Sequence, residues 1–333
     1  MASTPGLKVE ELTPARRPAW NALLETASNA TLFHSLDFLA YHPADRFSFR
    51  HLLLVAGDRA IAAIPGGIIS TPGGNRFRSP LGASVGGPAL ASGLSASEVI
   101  DCVATLKSYA RAEGWAGIEI VLAPPAYSHS QETIGFALHS AGFRLDQRWL
   151  CGMIDLGGAA PERYRAIYRS RNVTKTRAAL RNGVTVRACG REALDKFAVV
   201  YRDTYERHGV KPTHSLAELD DLMSRLPDRM LIYLAELDGE PLAGLFVMTM
   251  NERVAVSFYI CNLNVRAELN ANLALFAHAI DDLAARGFKY LDLGPMSMND
   301  GTLNRGVTFF KEGIGARGQC RDQWIWSATE SVD

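Results

Sequence analysis

The chain has 333 residues, 47% of them apolar and 21% charged, with 35 Lys and Arg balanced by 35 Asp and Glu. At roughly 150 residues per domain this length predicts two domains, each able to bury a core, and the composition excludes disordered, collagenous and coiled-coil chains. Five cysteines, at 102, 151, 189, 261 and 320, lie far apart without paired spacing, so they read as buried small hydrophobes rather than disulfides or zinc ligands. The opening MASTPGLKVEELTPARR has no apolar core for export, and the longest apolar stretch, Ala60 to Ile69, is short and broken by Pro65-Gly66-Gly67. A soluble, cytoplasmic protein without a membrane span is expected. The even charge hides an asymmetry: eight Arg and one Lys lie between Arg163 and Arg191 with no acid among them. A local positive surface on a neutral protein fits a specific anionic ligand better than general adhesion to DNA.

In chain order, Trp20, Leu23 and Leu24 mark a first helix, and Ser35 caps a short second one carrying Leu36, Phe38 and Leu39. His51 to Ala56 and Ala60 to Ser70 read as strands joined at Gly57-Asp58, and residues 71 to 95 read as a Gly/Pro-rich loop. Ser95 with Glu98 forms a capping box that opens a helix ending at Gly114, followed by the strand Ile118 to Val121 and a stop at Pro124-Pro125. A helix carrying Ile134 and Leu138 ends at Gly142, and strand material runs from Phe143 to Leu156.

The second half has the same grammar. The basic helix stops at Asn182-Gly183, the strand Val184 to Ala188 follows, and apolar residues at 194, 197, 198, 201 and 205 mark another helix. Ser215 with Glu218 caps the next helix. Met230 to Glu236 and Leu242 to Met250 flank a second hairpin turn at Asp238-Gly239, and Arg253 to Ile260 adds a strand. A helix over about 272–286 stops at Gly287 before the strand Tyr290 to Leu293. Hairpin turn and helix stop are 57 residues apart in the first half (Gly57, Gly114) and 48 in the second (Gly239, Gly287), which suggests a duplicated unit. Each unit is expected to be an α+β domain, a mostly antiparallel mixed sheet flanked by helices, with the domains at 1–157 and 158–333.

Three segments carry a resemblance. Thr31-Leu32-Phe33-His34-Ser35-Leu36-Asp37-Phe38-Leu39, Arg171 to Ala178 followed by Asn182-Gly183-Val184-Thr185-Val186, and Phe310-Lys311-Glu312-Gly313-Ile314-Gly315-Ala316 resemble, in this order, segments of the FemAB-like transferases. That family of tandem GNAT domains includes peptidoglycan aminoacyl ligases and other acyltransferases. The resemblance implies an enzyme that moves an acyl or aminoacyl group directly from an activated carrier to a small-molecule or peptide amine, with no bound cofactor and an acyl-CoA or an aminoacyl-tRNA as co-substrate. The first domain would face the acceptor and the second the donor. Two departures bear on the carrier. The stretch matching the pyrophosphate turn, Arg266 to Asn272, contains Glu268 and no glycine, and no long helical arm for tRNA interrupts the second half. An acyl-CoA is the preferred expectation and an aminoacyl-tRNA-dependent ligase the alternative.

Such a transfer needs donors aimed at the oxyanion that develops on the carbonyl. Lys311, one of seven lysines, is the first catalytic candidate; by resemblance it neutralises negative charge, and otherwise it is a surface lysine or the partner of Glu312. Tyr259 is a candidate for protonating the leaving group and Asn304 is a polar group in a loop ahead of Lys311; a core tyrosine and a structural amide are the plainer readings. At helical spacing Arg171 and Lys175 form one cationic ridge and Arg177 and Arg181 another, suited to a phosphate-bearing donor, or simply to pairing with acids elsewhere. Asn270 and Asn272, at the end of the segment matching the donor turn, are further donor- or phosphate-binding candidates. His34, Ser35 and Ser84 are the acceptor-side candidates. Gly82 to Gly86 also spells G-x-S-x-G, which admits a serine hydrolase as a minor reading, although the required helix cannot start at Pro88 and Gly93. A protein that binds a phosphorylated ligand without turnover is the remaining alternative. No metal-binding, dinucleotide or P-loop pattern is present.

Overall fold

A computed structural model describes residues 6–157 and 161–329. In chain order its elements begin with β1 (Leu7–Glu11), α1 (Arg17–Thr26), α2 (Leu36–Leu39), β2 (Leu52–Ala56), β3 (Arg59–Ile64), β4 (Gly67–Thr71), β5 (Gly74–Ser79) and β6 (Ala89–Leu90). They continue with α3 (Ala96–Ala112), β7 (Gly117–Val121), α4 (Ser130–Ser140) and β8 (Arg144–Asp155). The rest are α5 (Tyr164–Ile167), α6 (Ser170–Arg181), β9 (Thr185–Cys189), α7 (Leu194–His208), α8 (Leu216–Arg225), β10 (Met230–Leu237), β11 (Glu240–Thr249), β12 (Val254–Asn262), α9 (Ala271–Ala285), β13 (Tyr290–Pro295), α10 (Arg305–Gly313) and β14 (Arg317–Ser327).

The chain forms two units, Met1–Trp149 with Cys320–Asp333, and Leu150–Gln319, so the boundaries fall inside β8 and β14. This differs from the division expected at 157/158. The C-terminal strand serves the first unit because it pairs antiparallel with β7, Gln323 opposite Val121 through Ser327 opposite Gly117.

In the first unit β1, β2, β3 and β6 form an antiparallel sheet, and β4, β5 and β7 run beside one another in a second, with β5 and β7 parallel. The run Ala60 to Ser70, expected as one strand, is two. Pro65 and Gly66 divide it into β3 and β4, and a side chain at Gly66 would collide with the Phe77 ring and the Arg78 carbonyl. Within the expected loop 71–95 lie β5 and β6; Phe77 of β5 is fully buried and stacks on Trp115 at 5.2 Å. The Ser95–Glu98 box does open α3, and α4 packs beside that helix.

The second unit orders its strands β8, β13, β12, β11, β10, β9, antiparallel except for the β12/β13 pair. Its core centres on α9, whose Leu273, Leu275, Phe276, Ile280 and Leu283 bury against β10, β11 and α6. Each such side chain contributes roughly 1.5–3 kcal/mol on burial, which fixes where that helix starts and points. Each unit is therefore a GNAT-like α+β domain, with the order meander, crossover helix and parallel strand present in both. Besides β5 and β6, the sequence reading missed β1, α10 and β14, where apolar periodicity is short or interrupted by charge. Cys102, Cys151, Cys189 and Cys261 are buried free thiols, as expected, whereas Cys320 is free but only half-buried.

Candidate functional site: a splayed strand pair beside a bare helix start

Strands β12 and β13 pair only over Val254–Val256 and Tyr290–Asp292. Beyond that point they part, and each carries an irregularity where it does so. In β12 the register against β11 shifts at Phe258, which has no opposite residue; in β13 the register against β8 shifts between Asp292 and Pro295, with Gly294 at φ +74°. Bulges bend a strand and re-aim its backbone, so two facing bulges turn a parallel pair into a wedge. Ser257 Oγ donates to the Asp292 carbonyl at the vertex (3.3 Å), and Gly294 N–H donates to Asp292 Oδ1 (2.7 Å). Among the described residues, β12 from Ser257 to Asn262 has β11 on one side and no strand on the other.

The chain leaves β12, makes a 3-10 turn over Ala267–Leu269 and enters α9. Arg266 (φ 67°) and Asn270 (φ 52°) both adopt the left-handed conformation. The absence of glycine from this turn thus does not remove the backbone conformation glycine favours. The glycine-like backbone is present, on two residues for which it costs on the order of 1–2 kcal/mol in general and less for Asn. The start of α9 is bare. Asn270 caps nothing, since its Nδ2 donates to the Glu268 carbonyl, and the first turn holds no acid. Free N–H groups and the positive end of the helix dipole are what an anion requires.

Helix α6 packs on α9 and touches the 3-10 turn. Its buried residues are Thr176 and Ala179, which leaves Arg171, Arg177 and Arg181 exposed and Lys175 half-buried on the solvent arc. None of these four has an ion pair among the described residues. The other arginines of the cluster behave differently: Arg165 pairs with Glu162, Arg169 with Glu312, Arg187 with Glu236 and Arg191 with Asp220. Pairing with acids outside the basic segment therefore explains its edges but not its helix.

Lys311, on α10, is 6% exposed, and its Nζ donates to the carbonyls of Leu293 (2.6 Å), Gly294 (3.1 Å) and Pro295 (2.8 Å). Burial lowers its pKa to about 8, against the raising effect of Asp292 and then Cys151. Glu312, the partner a surface lysine would take, binds Arg169 instead.

The other candidates hold structure together. Tyr259 is buried; its Oη accepts from His214 N–H (2.9 Å) and lies 2.6 Å from His214 Nδ1, inside a ring cluster with Tyr201 and Tyr205. Burial raises its pKa. Asn304 is the N-cap of α10, accepting from Val307 N–H (3.1 Å). Asn272 is half-buried in the first turn of α9. His34 is 2% exposed; its Nδ1 accepts from Thr31 N–H (3.2 Å), so Nε2 carries the hydrogen and donates to the Gly87 carbonyl (3.2 Å). Burial lowers His34 to about 4. Ser35 caps α2 by accepting from Phe38 N–H. Ser84 is exposed in a stretch of bends with neither a strand before it nor a helix after it, so it is not a nucleophile elbow. Among the described residues there is no cluster able to hold a metal ion, and no helix is long and apolar enough to cross a membrane.

The wedge escaped the sequence reading, which ended the strand at Leu293. Gly294-Pro295 directly after a buried strand was the available sign of a bulge.

Residues 163–311 match the family described as acetyltransferase (GNAT) domain. Comparison with curated proteins finds no significant match. Among solved structures the chain is similar to FemX (TM-score 0.72, 14% identity, covering 96% of this chain and 97% of that one). It is also similar to L-PGS from Bacillus licheniformis (0.60, 17%, covering 95% and 92%) and to a tandem GNAT protein from the clavulanic acid biosynthesis pathway (0.53, 9%, covering 98% and 99%).

Proposed function

We propose that this chain, which has the fold of FemX and whose residues 163–311 match a GNAT acetyltransferase domain, transfers an acyl group from acyl-CoA to an amine, with the donor held by the second unit. The observation that supports this most is the wedge between β12 and β13 leading to the bare start of α9. A pantetheine chain laid along the open edge of β12 meets backbone groups that no strand satisfies, and its amides supply the partners. The pyrophosphate then reaches the N–H groups of Ala271 and Asn272 beyond Asn270, with Arg171, Lys175 and Arg177 of the adjoining helix as counter-charges.

With the thioester at the vertex, the neutral amine attacks the carbonyl carbon, the tetrahedral oxyanion collapses as the C–S bond breaks and CoA leaves as its thiolate, and the proton shed by the new amide nitrogen passes to that thiolate or to water. Backbone N–H groups freed by the bulge at Phe258 are the nearest donors for that oxyanion. No protein side chain is acylated. Tyr259 and Asn304 act through the positions they fix, Tyr259 by holding His214 and Asn304 by starting α10. The loop with Ser84 and the segment with His34 and Ser35 are assigned to the acceptor side on the resemblance alone.

A second reading, an aminoacyl-tRNA donor, draws on the likeness to FemX and on the four cations of α6, which suit a phosphate backbone equally well. Purified protein supplied in parallel with radiolabelled acetyl-CoA and aminoacyl-tRNA, together with a panel of amines, separates the two. Label transfer from acetyl-CoA is expected; transfer only from tRNA, RNase-sensitive and steeply salt-dependent, overturns the choice of carrier. Binding of CoA with no transfer to any amine leaves a ligand-binding protein.

A further inference from the structure

We propose that Lys311 is a positioning residue for this reaction: its ammonium, shared among three consecutive carbonyls, holds the end of β13 turned away from β12 and so keeps the donor cleft open. The inference rests on the reading of that cleft as the donor site.

An ammonium carries three N–H donors and no acceptor, and here all three are used, on Leu293, Gly294 and Pro295. These are the residues at which the register against β8 shifts and the strand leaves β12. Carbonyls of a bulge have lost their ladder partners and need others. Lys311 supplies them from the neighbouring helix, while its stem packs on Gly152 of β8. In this arrangement the ammonium is saturated and has no donor left for a substrate, so it acts through the backbone it holds.

The molecule contains its own control. Both units end the corresponding helix with a glycine at positive φ, Gly142 (+80°) and Gly315 (+97°). In each, the following residue donates its N–H to the carbonyl five residues back, Phe143 to Leu138 (2.9 Å) and Ala316 to Lys311 (3.0 Å). The position of Lys311 is therefore Leu138 in the first unit, fully buried. Helix and sheet pack there with an apolar side chain, so the fold does not demand an ammonium. Burying one costs free energy that only its hydrogen bonds offset. The lysine stands only where the strands part.

The groups facing the ammonium are Asp292 on β13 and Cys151 on β8; on its own helix, Glu312 is drawn away to Arg169. As pH rises through about 8 the group loses a proton and with it one of three donors. The end of β13 then loosens and transfer slows.

Lys311→Leu, which copies the first unit, tests the assignment, with kcat and KM for acetyl-CoA measured from pH 6 to 9.5 and folding checked by circular dichroism. Expected are a wild type whose kcat/KM falls on an alkaline limb near pH 8, and a folded variant with at least a tenfold loss in kcat/KM and no such limb. A folded variant with wild-type kcat/KM and the same limb overturns the proposal. Hydrogen exchange on the wild type gives a variant-free arm. The amides of Gly294 and Met296 should lose protection across pH 8 beyond the intrinsic rise, and unchanged protection also overturns it. A wild type that transfers nothing from acetyl-CoA instead refutes the donor reading itself.

Discussion

The crossover helix that follows the open edge of the sheet starts differently in the two units. In the first, Ser95 accepts from Glu98 N–H while the Glu98 carboxylate accepts from Ser95, so α3 begins with its donors engaged and an acid on top of them. In the second, α9 begins with no side-chain cap and no acid. The strand pairs differ in the same sense. Between β5 and β7 the loop that follows Ser79 closes the gap, with Gly86 N–H on the Val121 carbonyl (2.8 Å) and Gly87 N–H on Ser79 Oγ (2.9 Å); between β12 and β13, among the described residues, no segment does so beyond Asp292. One topology thus appears twice, once sealed and once open. The lesson is that an anion-binding helix start is set by which caps are left out, as much as by which cations are put in.

The two units should also differ in acid. His34, neutral in the fold with a pKa near 4, has an unfolded value near 6.5, so between those values the unfolded state binds more protons. Stability therefore falls as pH drops from 6.5 towards 4 and is flat above, by up to about 3 kcal/mol at about 1.4 kcal/mol per unit. His51 of the same unit is also pushed down to about 4 by burial, which adds to the effect. All five tryptophans lie in the first unit, so intrinsic fluorescence reports on it alone. Urea midpoints read by tryptophan should drop sharply between pH 7 and 5; a midpoint independent of pH breaks this part of the comparison.

The double substitution Arg171→Ala, Lys175→Ala should raise KM for acetyl-CoA about tenfold or more and leave saturated kcat near wild type, since each charge-assisted contact contributes roughly 1.5–3 kcal/mol at most. Steady-state kinetics at two salt concentrations checks it; an unchanged KM removes α6 from the donor site. Ser95→Ala in the sealed unit should cost about 1 kcal/mol of stability with no change in kinetics. Thermal unfolding alongside the transfer assay reads both. Asn272→Asp gives the second unit an acid of the kind the first already has. It should stabilise the helix by about 0.3–1 kcal/mol and weaken donor binding by a similar amount, opposite signs that calorimetry resolves. Equal signs would mean that no anion docks at that helix start.

Much of the architecture was legible because it rests on local chemistry. The boxes Ser95/Glu98 and Ser215/Glu218, the hairpin turns at Gly57 and Gly239, and the stop at Gly142 each declare themselves within five residues. Their order suggested the duplication, and the GNAT reading came from the three segments that resemble the FemAB-like transferases. What stayed hidden depends on partners far along the chain. Nothing local says that Arg317 to Ser327, rich in charge, pairs as a strand in two directions, or that Gly74 to Ser79 sits beside β7. For the site, Lys311 was singled out by the resemblance, but its carbonyl partners belong to a bulge visible only once β8 and β13 are in register. Tyr259, His34 and Ser35 have the chemistry of catalytic groups, and the structure commits each to a hydrogen bond within the fold.

The most direct test of the account is amide hydrogen exchange with and without acetyl-CoA. Protection confined to the second unit, over 257–273 and along α6, with residues 80–96 and α3 of the first unit unchanged, is the predicted result. Protection at 80–96, or none at 257–273 under saturating CoA, would contradict it.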